Sequence, residues 1–361
     1  MTLARWRLLF MALAGLSLLA GLWAGMLRLS WPLPVLASTV LPNHGPLMVT
    51  GFLGTLIGLE RAVALKRRWP YGAPLCAGLG SVALLAGLPH VGHALTAAGS
   101  LFLVAIFILL YRQQPAVYLA TMGLGAVVWF AGTVLWHGGF ALYQVAPWWI
   151  GFLVLTIAGE RLELSRLLRL GAGSRAAFVV AVGLFLLGLV AGLRAPAAGI
   201  RVGGLGLIAL ALWLLRHDIA WRTLARGGRP RFMAVCLLSG HLWLGIGGVL
   251  WLLFGNVFAA GPYYDAMLHA IFLGFVFSMI FGHAPIILPS VLGVALPFRR
   301  AFYCHWALLH VSLAVRVGGD LALWPAGQQW GGLGNALAIL LFLANSVRAI
   351  VSGQGGQHEP D

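Results

Sequence analysis

The sequence predicts an all-α polytopic membrane protein of about twelve transmembrane helices, grouped as three pseudo-repeated four-helix units. Three observations predict it: a composition 61% hydrophobic and only 9% charged, long uncharged runs along the whole chain, and a Gly-Phe motif that returns on the second, sixth and tenth runs. Soluble domains carry about 25% charged residues, and a soluble fold could not cover this much apolar surface. A run of about 20 apolar residues crosses a hydrocarbon core roughly 30 Å thick.

The runs place spans near residues 8–28, 44–65, 73–90, 94–111, 116–137, 145–163, 177–193, 199–215, 232–254, 265–290, 301–318 and 328–350. The first follows RWRLLF, which could open a secretory signal, but its apolar run reaches Leu27 without a small-x-small cleavage site and is expected to stay as an uncleaved span. The second opens at His44 and closes on Glu60-Arg61; the fifth closes at His137; the sixth closes on Glu160-Arg161. The ninth carries His241 at mid-depth. The tenth carries Met267 and His269 at its start and runs into HAPIILPSVLG, where Pro285 and Pro289 are expected to kink or end the helix near His283. The eleventh holds His305 and His310, five residues apart and therefore off a shared helical face. Trp31, Trp136, Trp148, Trp149 and Trp324 fall near outer interfaces, as an aromatic belt requires. Cys76, Cys236 and Cys304 lie in separate spans with no CxxC pair, so they are expected to pack and not to build a disulfide framework or zinc knuckle. One transmembrane domain is expected over residues 1–351, with pseudo-repeats near 1–111, 112–216 and 217–351. The last ten residues, SGQGGQHEPD, read as a disordered tail with a solvated His358.

A net charge of +15 would suggest nucleic acid as a partner for a soluble protein. With the N-terminus inside, however, all but four of the 23 Lys and Arg residues fall on cytoplasmic segments, the exceptions being Arg28, Arg194, Arg201 and Arg316. That asymmetry follows the positive-inside rule. It predicts both termini in the cytoplasm, membrane lipids as the surroundings, and no nucleic-acid partner. A single Lys beside 22 Arg, with abundant Ala, Gly and Leu, points to a GC-rich bacterial genome and hence to a bacterial inner membrane.

Internal similarity is the most informative pattern. Gly51–Arg61 reads GFLGTLIGLER and Gly151–Arg161 reads GFLVLTIAGER, in register; a weaker third copy, GFVFSMIFGHA, starts at Gly274 and puts Gly282 and His283 where Gly159 and Glu160 stand. The copies lie four helices apart, so all point the same way across the membrane. This implies parallel four-helix units, unlike the inverted repeats of many secondary transporters.

Ionisable residues inside a membrane are costly and mark functional sites by default. His44 and His269 open the second and tenth spans at the outer side, ahead of the repeated Gly-Phe. Paired imidazoles from different helices suit the axial positions of haem iron, or copper or zinc given more ligands. An inner layer, Glu60, Glu160, His283, His305 and His310, is a candidate metal or proton site; its Glu-Arg pairs read equally as interfacial anchors or interhelical ion pairs. His283 lies 14 residues below His269, about 21 Å along a helix, so one cofactor cannot bind both. His241 could serve either layer. No GxxxxGK[ST], HExxH or GxSxG motif is present.

The twelve spans, the three units and the string HAIFLGFVFSMIFGHAPIILP resemble the haem-copper oxidase subunit I superfamily, and more loosely the NnrS haem- and copper-containing membrane proteins associated with nitric oxide tolerance. In the oxidases an outer-side His of the second span and the second His of an HxH on the tenth hold the low-spin haem. His44 and His269 match those positions, and Met267 stands where the first His of the HxH would be. Histidines are absent from the sixth span, as is the His-His pair of the seventh-span region, so the oxidase copper site is missing. The resemblance therefore implies a haem-binding membrane protein, the haem of b type, without oxygen reduction. Copper or another transition metal is a second cofactor it allows. Its role would be in nitric oxide response or electron transfer, with a redox partner or small gas ligand. A proton- or metal-coupled transporter or channel, and a structural subunit whose histidines only pack, are the other expectations.

Overall fold

The computed structural model describes residues 3–168 and 170–355, and among them every regular element is helical. Twelve long helices follow one another: α1 (Leu3–Arg28), α2 (Leu41–Leu65), α3 (Gly72–Leu85), α4 (Pro89–Gln113), α5 (Val117–His137), α6 (Leu142–Leu164), α7 (Ala172–Gly192), α8 (Pro196–His217), α9 (Gly228–Phe254), α10 (Pro262–Leu292), α11 (Phe302–Leu321) and α12 (Pro325–Gly355). Ten are long and apolar enough to cross a membrane. The exceptions are α3, whose 14 residues reach about 21 Å, and α11, where His305, His310, Arg316 and Asp320 dilute the apolar run. The chain is an all-α polytopic membrane protein, with exposed apolar side chains such as Val180, Leu187, Leu212 and Val311 suited to lipid.

The helices stop where backbone chemistry makes them stop. Lys66 ends α2 in the left-handed region at φ 53°, and Gly293 ends α10 at φ 71°. The tenth helix thus passes through Pro285 and Pro289 and continues to Leu292, because each proline removes one N–H donor without preventing later residues from pairing. At the end of the chain, α12 takes in residues 352–355, which the sequence assigned to a tail. Residues 356–361, with His358, and Arg169 lie outside the described residues.

Two helices are not uniform. After a 3₁₀ turn (Leu41–Asn43) and one α turn (His44–Pro46), α2 widens into a π segment, Leu47–Leu53, before resuming as α. Likewise α10 is α-helical over Pro262–His269, π over Ala270–Phe277 and α again from Ser278. Gly51 and Gly274, the repeated glycines, are each the fifth residue of their π segment. The copy on α6 is α-helical and contains Pro147. π segments are rare and recur at functional sites, and here they follow the two histidines singled out above.

The chain divides into two compact units, Met1–Gly159 and Glu160–Asp361. This boundary lies within α6 and does not follow the four-helix period of the sequence. Lipid tails are as apolar as leucine, so helices in a bilayer associate through close packing and buried hydrogen bonds. In the first unit the Ser17 and Ser81 hydroxyls, on α1 and α3, are 2.7 Å apart, and Gly51 of α2 lies directly on that pair. Trp129 of α5 stacks on Phe152 of α6 at 4.5 Å. In the second unit α7 and α8 touch backbone to backbone where Gly188 meets Gly203, and a Cβ on Gly188 would not fit. Of the tryptophans expected in an interfacial belt, Trp324 is exposed, whereas Trp136 and Trp149 are buried edge to face at 5.3 Å. Cys236 is buried and Cys304 exposed, and neither Cys is in a disulfide.

Candidate functional site

His44 stands at the start of α2, where Pro42 in the 3₁₀ turn sets the entry and the Asn43 amide donates to Thr39 O at 2.8 Å. Its half-buried ring lies against Gly25 of α1, with Cε1 where a Cβ would come within 3.0 Å. His44 Nδ1 is 2.7 Å from Gly21 O. A carbonyl only accepts, so Nδ1 carries the proton and the lone pair is on Nε2.

His269 closes the first α segment of α10 and has the same tautomer for the same reason: Nδ1 donates to Asp265 O at 2.9 Å. It is also 3.2 Å from Asp265 Oδ1. Asp265 is held by a two-pronged ion pair, Arg316 Nε donating to Oδ2 at 2.7 Å and Nη2 to Oδ1 at 2.8 Å. This fork is the strong form of a charge-assisted contact. One turn along α11, Asp320 is 1% exposed and lies close to Asp265. The N-terminal end of α10 is therefore a chain, Arg316 to Asp265 to His269, of the kind that orients a metal-binding imidazole and raises its basicity. Met267 is fully buried, and two residues along an α-helix is about 200° of rotation, so its thioether leaves α10 on the side away from His269.

Deeper in the second unit, Arg161 in the last turn of α6 meets Asp218, in the connection after α8, at 3.6 Å. Asp218 is in turn 3.6 Å from His241 Nε2 on α9. Arg161 Nη1 lies 3.4 Å from His283 Nε2, whose Nδ1 donates to Met279 O at 2.7 Å. The sequence grouped His283 with Glu160; the structure brings it to Arg161, the next residue, with Glu160 half-buried.

His305 and His310 point to different surroundings. His305 accepts from the Asn345 amide at 3.2 Å and is ringed by Phe281, Phe302 and Phe342. His310 has both ring nitrogens engaged: Trp243 Nε1 donates to Nδ1 at 2.9 Å, which leaves the proton on Nε2, 3.1 Å from Ser239 Oγ and 3.3 Å from Ser278 Oγ. In the first unit Glu60 is 3.8 Å from its neighbour Arg61, whose guanidinium sits 5.8 Å above the Phe107 ring. Among the described residues no three His, Cys, Asp or Glu side chains form a group able to hold a metal ion.

Sequence reasoning missed Asp218, Asp265 and Asp320. Asp265 carried a usable signal, four residues before His269 and so on the same helical face. Arg316 was visible as one of the four basic residues that fall outside the segments expected to be cytoplasmic, and its partner is Asp265. Asp218 gave no signal, because its role depends on a connection folding back under α9.

A family model described as a domain of unknown function (DUF8744) matches residues 7–351. No curated protein matches the chain.

Proposed function

The chain belongs to the DUF8744 family, and we propose that it is a membrane haem protein in which His44 and His269 would hold the haem iron. One observation carries this reading: both histidines donate Nδ1–H to a backbone carbonyl, Gly21 O and Asp265 O, and so keep the lone pair on Nε2, the tautomer of a haem-ligating histidine. The π segments that follow each of them support it. When bound, haem supplies a one-electron couple. The chain's own residues fix the imidazoles: Gly21 and Gly25 hold the His44 ring against α1, and Asp265, itself gripped by Arg316, holds His269. We further place the protein in a bacterial inner membrane with both termini cytoplasmic, on the distribution of its basic residues, and assign it to electron transfer or nitric oxide response.

The test is a reduced-minus-oxidised absorption spectrum of the purified protein, expressed with ample haem. Soret and α bands are expected, weakened or shifted by His44→Ala and by His269→Ala while helical circular dichroism is kept. Absence of both bands overturns the haem reading. Bands indifferent to both substitutions overturn the ligand assignment.

A further inference from the structure

Arg161, Asp218 and His241 come from three separate elements of the second unit, and their side chains are 2%, 1% and 0% exposed. Asp218 Oδ1 is taken by the backbone N–H of Ala220 at 2.8 Å. Its Oδ2 stands 3.6 Å from Arg161 Nε and 3.6 Å from His241 Nε2, both beyond the length of a hydrogen bond. Among the described residues, four buried polar atoms therefore lack a hydrogen-bond partner: Arg161 Nε, Asp218 Oδ2 and both ring nitrogens of His241. Folded proteins rarely leave such atoms unmet.

The chemistry of the four atoms selects what completes them. Charge is already balanced, Arg161 against Asp218. A metal cation would be repelled by the guanidinium, and an anion by the carboxylate. What is missing is two-sided: Asp218 Oδ2 needs a donor, Arg161 Nε needs an acceptor, and a neutral imidazole needs one of each. A compact molecule with both donors and acceptors fits, and water is that molecule.

We propose that Arg161, Asp218 and His241 bind internal water, and that this water gives protons access to His241 in the middle of α9. Polar groups continue from this site toward the end of α6. Arg161 Nη1 reaches His283, and Ser165 Oγ bonds both Arg161 O at 2.8 Å and His217 O at 3.2 Å. The half-buried His217 and exposed Arg166 and Arg216 follow. His310 offers the contrast within the same unit, since its nitrogens are already matched by Trp243, Ser239 and Ser278. The proposal is independent of haem.

Hydrogen–deuterium exchange of imidazole N–H groups, read by NMR on the full-length protein labelled with ¹⁵N-histidine, tests it. The His241 N–H is expected to exchange at least tenfold faster than the backbone amides of α9 around it and than the His310 N–H. Replacing the ion pair by apolar side chains, R161M with D218L, is expected to slow His241 at least tenfold; such replacements are commonly tolerated by the fold. Exchange of His241 as slow as its neighbouring amides overturns the proposal. So does exchange unchanged in the double variant when its helical content matches that of the unmodified protein.

Discussion

Asp265→Asn keeps the shape of the side chain at the start of α10 and removes its charge. The structure gives the expected size of the effect. Arg316 is paired to both carboxylate oxygens, at 2.7 and 2.8 Å, and the Arg316 and Asp265 side chains are 8% and 20% exposed. Removing one partner of a buried pair costs about 3–5 kcal/mol, mostly because the other charge is stranded; the partial exposure of Asp265 points to the lower end. Arg316→Met should cost at least as much, since it leaves Asp265 uncompensated in the neighbourhood of Asp320. The double variant strands neither charge, so its cost should fall short of the sum by about 2 kcal/mol or more. Reversible unfolding in mixed detergent and SDS micelles measures all three. Costs that add to within about 0.5 kcal/mol would show the two side chains to be energetically independent and refute the chain from Arg316 to His269.

Two further outcomes follow from packing. Gly188→Ala drives a methyl group into the backbone of Gly203 and Gly199, which cannot rotate away, so a loss of about 1–3 kcal/mol or more is expected. Gly183→Ala on the same helix meets nothing within 4 Å and should be neutral or stabilising by up to about 1 kcal/mol. Equal effects from the two in the same unfolding assay would contradict backbone contact between α7 and α8. Trp243→Phe keeps the ring over Gly274 but removes the N–H that serves His310 at 2.9 Å; about 1–3 kcal/mol should be lost, and His310→Phe in that background should cost less than in the unmodified protein.

Most of the helix map was legible because the bilayer imposes it: an apolar run of sufficient length becomes a helix whatever its neighbours do. Each of the twelve expected spans corresponds to a long helix. Two copies of the repeated Gly-Phe segment coincide with π segments that no propensity argument would locate, since π geometry depends on how one residue is absorbed into the turn. Partners were harder to read. His44 was found from its depth alone, but its acceptor, Gly21 O, is a backbone atom with no sequence signature. His310 was a candidate ligand, and its hydrogen bonds join α9, α10 and α11. Arg161 read as an interfacial anchor or an interhelical ion pair; it is 2% exposed and faces Asp218. In each case the sequence showed the polar residue, and tertiary packing decided what it met.

The π segments bear on how these two helices acquired their present form. In a soluble protein an inserted residue can be extruded into a surface loop, but hydrocarbon offers nothing to the N–H and C=O groups a loop would expose. A helix in lipid must absorb the extra residue by widening. Each segment is thus the trace expected of a one-residue insertion retained within a span. In α2 and α10 it separates the histidine-bearing start from the rest of the helix by about 100° of rotation relative to an uninterrupted α-helix. Losing that one residue would leave the span long enough to cross, yet turn His44 away from Gly21. The fold would survive the deletion, and the placement of the histidine would not.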